Sequence, residues 1–225
     1  MAASAAERKR GATMARVVVV GGTGFTGSRI VREAARRGHQ VVSLSRSVPG
    51  EKVDGVEYVA GAAADASALV DGADVVVGAL SPRGDTAGTL VGVYSQLGEA
   101  AARAGARLVV VGGFSSLRPA PGAPRFAEGD DLPPQFVEEA REMNDVLTAL
   151  GATPDELDWL FVSPAAAYGA YAPQGERRGE YRVGEDVALF DAAGESTISG
   201  EDFATAVLDE IEHPTRRRAQ IHFAY

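Results

Sequence analysis

The sequence has no cysteine among its 225 residues. A disulfide scaffold, a thiolate metal site and a cysteine nucleophile are therefore excluded. Histidine is scarce too. His39, His213 and His222 stand apart, with no two at metal-ligand spacing, so no metal is expected. Long apolar runs are missing: none approaches the roughly 20 residues that span a bilayer. The run Val17–Val20 stops at glycine, too short for a signal-peptide core. A cytoplasmic protein that meets no membrane is the expectation. Positive charge is in deficit, with a net charge of -9. Such a surface repels phosphate backbones, so nucleic acid is not an expected partner. Hydrophobic residues make up 45% and charged residues 24%, which excludes wholesale disorder. Glycine is abundant instead, with 27 residues or about one in eight against a usual ~7%.

Residues 1–13 read as a tail, small and polar with a basic cluster at Arg8, Lys9 and Arg10. A disordered tail over 1–13 and one domain over 14–225 are expected. From Met14 the pattern alternates. The β-branched run Arg16–Val20 reads as a strand buried on both faces. Residues 24–37 carry Ile30, Val31, Ala34 and Ala35 at helical spacing, and Gly38 stops them. Strands follow at 40–44, 56–59, 74–79, 107–111 and 157–162, with helices at 66–70, 86–104 and 135–150. Strands alternating with helices predict an α/β fold, a parallel sheet covered on both faces. Residues 112–134 form a long loop with five prolines, of a length that is usually functional or disordered. Residues 181–183 and 187–190 suggest a hairpin. Ser199 and Asp202 form a capping box that opens a helix to Ile211, and 219–224 reads as a last strand.

The strongest motif is Val17-Val18-Val19-Val20-Gly21-Gly22-Thr23-Gly24-Phe25-Thr26-Gly27. Glycines 21, 24 and 27 give GxxGxxG, and 22, 24 and 27 give GxGxxG, placed after a strand and before a helix. Glycine permits the tight turn, lets backbone approach a pyrophosphate, and lets the helix lie close to the sheet. The helix N-terminus then offers free N–H groups to phosphate. An NAD-preferring site usually carries an acidic residue at the end of the second strand. Here that region reads Ser43-Leu44-Ser45-Arg46-Ser47. Arg46 with Ser45 or Ser47 suits a 2′-phosphate, so NADP(H) is favoured over NAD(H).

These residues resemble the atypical short-chain dehydrogenase/reductases with the NmrA-like NAD(P)H-binding fold. Within that group the chain looks most like bacterial NADH-flavin reductases, relatives of biliverdin IXβ/flavin reductase. The resemblance runs from Met14 to Tyr225. The stretches Gly179-Glu180-Tyr181-Arg182-Val183-Gly184, Asp191 to Ser199, and Glu201-Asp202-Phe203-Ala204 look like that subfamily's own signature. It implies a Rossmann-type doubly wound parallel sheet with a small C-terminal extension on the substrate side. It also implies that Gly21, Thr23, Gly24, Phe25, Thr26 and Gly27 take the pyrophosphate and Ser45 and Arg46 the 2′-phosphate. Ala62 would lie by the adenine, where the family commonly has an acidic residue. Ala79, Leu80 and Ser81 would border the ribose next to the nicotinamide. Gly112, Gly113 and Pro164 would flank the nicotinamide.

The chain departs from the superfamily's Tyr-xxx-Lys: Phe136 stands near the tyrosine's place and Ala140 four residues later. A carbonyl reductase needs such a proton donor beside the hydride. A flavin asks for less, because its ring nitrogen takes hydride directly and water can supply the proton. The expected partner is thus a small planar molecule, with flavin as substrate rather than bound cofactor and the chain a monomer or homodimer. Phe114, Phe126 and Tyr168 are candidate substrate contacts, with Leu117 and Tyr171 further parts of an apolar cover. Ser115 and Ser116 are the candidate catalytic hydroxyls. An NAD(P)-dependent reductase, epimerase or dehydratase of a specialised pathway and a non-catalytic NmrA-like NADP(H) sensor are the alternatives. His39 reads as a solvent-facing loop residue, Trp159 as core, Arg216–Arg218 as a solvated charge run, and Glu138, Glu139 and Glu142 as the exposed side of their helix.

Overall fold

The computed structural model describes residues 14–130, 132–173 and 175–225. The expected tail, residues 1–13, lies outside them. Eight strands form one sheet: β1 (Arg16–Val20), β2 (Gln40–Ser45), β3 (Val56–Ala60), β4 (Val75–Gly78), β5 (Arg107–Val111), β6 (Trp159–Ser163), β7 (Arg182–Gly184) and β8 (Ala219–Ala224). Their order is β3-β2-β1-β4-β5-β6-β8-β7. Every pairing is parallel except β7 on β8. The chain winds outward from β1 to β3, then starts again at β4 beside β1. This is the doubly wound Rossmann-like arrangement, and the strand order reverses between β1 and β4.

Both sheet faces are covered, which is why β1 reads as unbroken valine. Val17 and Val19 face α1 (Phe25–Arg36) and α4 (Gly200–Glu212), while Val18 and Val20 face α2 (Leu90–Ala104) and α3 (Val137–Gly151). All four valines are buried. Trp159 lies in the second of these cores, as its sequence setting suggests. Ser199 Oγ accepts from Asp202 N at 3.0 Å and caps α4, a contact worth about 1 kcal/mol.

Several elements differ from the sequence reading. The helix expected from Thr86 begins only at Leu90. Gly84 and Gly88 take left-handed φ values of 61° and 73°, which break a helix. Glu142, expected on an exposed face, reaches back from α3 and accepts from Gly88 N at 2.7 Å and Leu90 N at 2.8 Å. The hairpin over 181–190 does not form. β7 pairs with β8 instead, and Ala188 N donates to Arg118 O at 2.9 Å in the long loop. An ordered sheet edge offered the first segment a better template than its own neighbour. His39 is buried, not solvent-facing. Its Nδ1 accepts from Ala15 N at 3.2 Å, so Nε2 carries the proton and donates to Glu212 Oε1 at 3.1 Å. Arg218 is not simply solvated: its guanidinium ties down the carbonyls of Thr153, Pro154 and Leu157.

Candidate nucleotide and acceptor cleft

The glycine turn is built from the strand outward. Gly21 has φ +86°, and a Cβ on it would meet Ala79 O at 2.5 Å. A Cβ on Gly22 would stand 2.2 Å from Ser43 Oγ, and one on Gly27 would stand 2.1 Å from Gly21 O. These three are glycines because the turn is folded against itself. Gly24 is different. A Cβ there would meet only Gly21 O, at 3.3 Å, and the residue borders an open cleft. It is the N-cap of α1, with no side-chain cap and no acidic residue in the first turn. A helix end of this kind presents unsatisfied N–H groups and partial positive charge. Ser45 braces the turn from beneath, its Oγ accepting from Thr23 N at 3.0 Å.

The cleft has a volume of about 790 Å³ and lies beyond the carboxyl ends of β1, β4, β5 and β6. It brings together Gly24, Phe25, Thr26, Ala79, Leu80, Ser81, Gly112, Gly113, Phe114, Ser115, Ser116, Pro164 and Tyr168. The β4 wall is anchored by Tyr94, whose hydroxyl accepts from Leu80 N at 3.4 Å. Burial pushes the Tyr94 phenol well above its ordinary range. Tyr168 closes the other side. Its hydroxyl and Thr26 Oγ1 are 2.9 Å apart, and its ring meets Phe25 edge-on and Phe203 at 4.7 Å. Burial raises its phenol as well, against the Thr26 hydrogen bond.

Other residues from the sequence lie off the cleft wall. Phe126 stacks behind Phe114 with centroids 5.1 Å apart and supports it from outside the lining. Leu117 is fully buried and covers no opening. Ala62 is exposed, and Asp65 accepts from its N–H at 3.0 Å. Arg46 is largely exposed and stands 3.3 Å from the equally exposed Asp85, a contact worth little. Gly112 is glycine for packing, since a Cβ would be 1.9 Å from the Phe161 ring. Ser115 borders the cleft, whereas Ser116 is buried, its Oγ without a partner among the described residues.

The sequence reading missed the charged pair on this wall. Arg83 Nε and Glu139 Oε2 meet at 2.8 Å, linking the loop after β4 to α3. Among the described residues they are the only charged side chains lining the cleft. Leu132, Pro133, Phe136, Ala140 and Met143 make that side apolar. The i, i+3 spacing of Glu139 and Glu142 was the available signal, since it puts both on one side of α3.

A family model described as NAD(P)H-binding matches residues 21–214. The chain belongs to this NAD(P)H-binding family. Similar proteins match along nearly the full length. An uncharacterised Bacillus subtilis protein, YwnB, is 29% identical over 211 residues, covering 90% of this chain and 94% of its own. The crystal structure of a Burkholderia pseudomallei protein, provisionally named as exported, is 38% identical with a TM-score of 0.81, covering 94% of this chain and 100% of that one. A Streptococcus pneumoniae protein provisionally named an NADH-flavin reductase is 27% identical with a TM-score of 0.83, over 93% and 99% of the two chains. A Bacteroides thetaiotaomicron protein provisionally named an epimerase is 29% identical with a TM-score of 0.81, over 95% and 98%. Among the described residues no helix is long and apolar enough to cross a membrane. A nicotinamide dinucleotide fits this family member's own geometry, because Gly24 leaves open the space at the α1 N-terminus that a side chain would fill.

Proposed function

We propose that the protein uses NADPH to reduce a flavin or a similar planar acceptor. The observation that carries this reading is the cleft wall at Phe136 and Ala140. Where related reductases keep a tyrosine and a lysine, this chain has an aromatic ring and a methyl group. The wall can cover a flat ring but cannot deliver a proton to a carbonyl oxygen. NADPH, when bound, supplies the hydride. The N-terminus of α1 at Gly24 holds the pyrophosphate, and Arg46 takes the 2′-phosphate. Ala79, Leu80 and Ser81 border the ribose beside the nicotinamide, and Gly112, Gly113 and Pro164 flank the nicotinamide. Phe114 and Tyr168 confine the acceptor, with Phe126 stiffening Phe114. Ser115, which borders the cleft, is the hydroxyl that would hydrogen-bond it, whereas the Ser116 Oγ is buried. Stacking of acceptor over nicotinamide then supplies the rate by proximity. The name of the Streptococcus pneumoniae relative agrees with this reading.

The deciding experiment follows NADPH absorbance with FMN, FAD and riboflavin as acceptors. Turnover with a flavin, faster with NADPH than with NADH, is the expected result. Tight NADP binding without turnover of flavins, quinones or carbonyls would overturn it in favour of a sensor. Turnover of a sugar nucleotide alone would favour an epimerase, as the Bacteroides relative is named.

A further inference from the structure

The α3 side of the cleft is apolar apart from one ion pair. Phe136, Glu139, Ala140 and Met143 fall at i, i+3, i+4 and i+7 along α3 and its N-cap, and all four line the cleft, so they make one stripe. Glu139 is the charged position in that stripe. Arg83 meets it from the loop after β4, with Nε and Nη2 both 2.8 Å from the same oxygen, Oε2. The two side chains keep 56% and 30% of their surface exposed, so the pair adds little to stability. A guanidinium carries five N–H donors, and a carboxylate has two oxygens that each accept. Contact through one oxygen exhausts neither group.

Both members are held in place. Glu142, on the next turn of α3, accepts from Gly88 N and Leu90 N and ties the far end of the Arg83 loop to the same helix. At the near end Thr86 Oγ1 donates to Ser81 O at 2.6 Å and accepts from Arg83 N at 3.3 Å. A donor and an acceptor fixed side by side, one helical turn from the Phe136 ring, suit a flat ligand with the opposite pattern on its edge. Arg83 alone would take any carbonyl. Glu139 beside it repels a second carbonyl oxygen and calls for an N–H. A ring carbonyl next to a ring N–H is an imide edge. Flavins carry one at C4=O, N3–H and C2=O, and uracil carries the same group. Quinones and simple ketones have no such N–H.

Resting on the reading of this cleft as an acceptor site, we infer that Arg83 and Glu139 select the acceptor by a heterocyclic imide edge. Arg83 donates to a ring carbonyl and Glu139 accepts from the ring N–H. Neither group moves a proton in this role; both are specificity-determining residues.

Equilibrium dialysis of the full-length protein with saturating NADP+ tests this. It compares riboflavin with 3-methylriboflavin, whose imide N–H is blocked, and uridine with 3-methyluridine. Riboflavin is expected to bind tighter than its 3-methyl form by about ten-fold, the loss of one hydrogen bond to a charged group. The flavin KM values in NADPH oxidation should keep that ratio. Glu139→Ala should erase the difference, and Arg83→Leu should weaken both flavins alike. Flavin binding and turnover with no preference for the free N–H would overturn the inference and leave the reductase function standing. A preference for uridine over 3-methyluridine with no riboflavin bound would uphold imide recognition and overturn flavin as the acceptor. An NADP+ Kd raised in Glu139→Ala as much as the riboflavin Kd would assign the pair to the nicotinamide carboxamide and overturn the inference. Binding of none of these compounds would overturn both.

Discussion

Gly22, Gly24 and Gly27 lack side chains for opposite reasons. At 22 and 27 the protein itself fills the space, with Ser43 Oγ and Gly21 O standing where a Cβ would go. At 24 the space is open toward the cleft. Gly24→Val is therefore expected to raise the NADPH Kd by about ten-fold or more with little change in Tm, by calorimetry and thermal unfolding. Gly27→Ala should instead lower Tm. Unchanged affinity in Gly24→Val would remove the turn from the site. Among the described residues Arg46 has only an exposed partner, Asp85, which it can exchange for a phosphate. Arg46→Ala should raise the NADPH KM by about ten-fold and leave the NADH KM nearly unmoved; equal effects would contradict the assignment. The glycine spacing was legible because a tight turn is a local matter. The Thr26–Tyr168 bond and the Arg83–Glu139 pair were not, because their partners lie 142 and 56 positions apart.

The parallel strands were readable for a similar reason: burial on two faces leaves unbroken apolar runs that no turn could contain. Elements whose partner is chosen by competition were harder. Nothing local tells Arg182–Gly184 to join β8 rather than fold on the next segment. Nor does α1 announce its tie to α4. Arg37, just past the last residue of α1, meets Glu33 at 2.8 Å, Asp209 at 2.8 Å and Glu212 at 2.6 Å. His39 completes the cluster through Glu212. Burial opposes the Arg37 charge, but these carboxylates raise its pKa overall. Arg37→Ala would leave Glu33 to Arg36 and Glu212 to His39, and would strip Asp209 of its cation. A loss of about 3 kcal/mol is expected, read as a Tm lower by about 6–12 °C. A Tm within a degree or so of the parent would show the cluster to be only a solvated surface feature.

At the scale of the whole molecule, acid should weaken the fold through His222. Its Nδ1 donates to Ser163 O at 3.0 Å, which leaves Nε2 buried and without a partner among the described residues. Burial, helped by the Arg182 charge and opposed by the Ser163 bond, lowers its pKa below 6.5. The unfolded chain binds that proton first as pH falls. The His222 contribution is thus complete above about pH 6.5 and shrinks below it until the folded pKa is reached. Denaturant unfolding should show stability falling by up to about 1.4 kcal/mol per pH unit in that window from this group, a slope that His222→Gln removes. Identical slopes would place the acid sensitivity elsewhere. The sheet has a further consequence. The glycine turn follows β1 and the acceptor wall follows β5 and β6, all within one hydrogen-bonded sheet. Each strand step is fixed at about 4.8 Å, so the sheet is a ruler laid under the proposed cofactor and acceptor positions. Bringing them together then needs no hinge, and X-ray scattering should find the same radius of gyration with and without NADPH. Acceptors would be chosen by which ring reaches the right mark, not by which one makes the protein close.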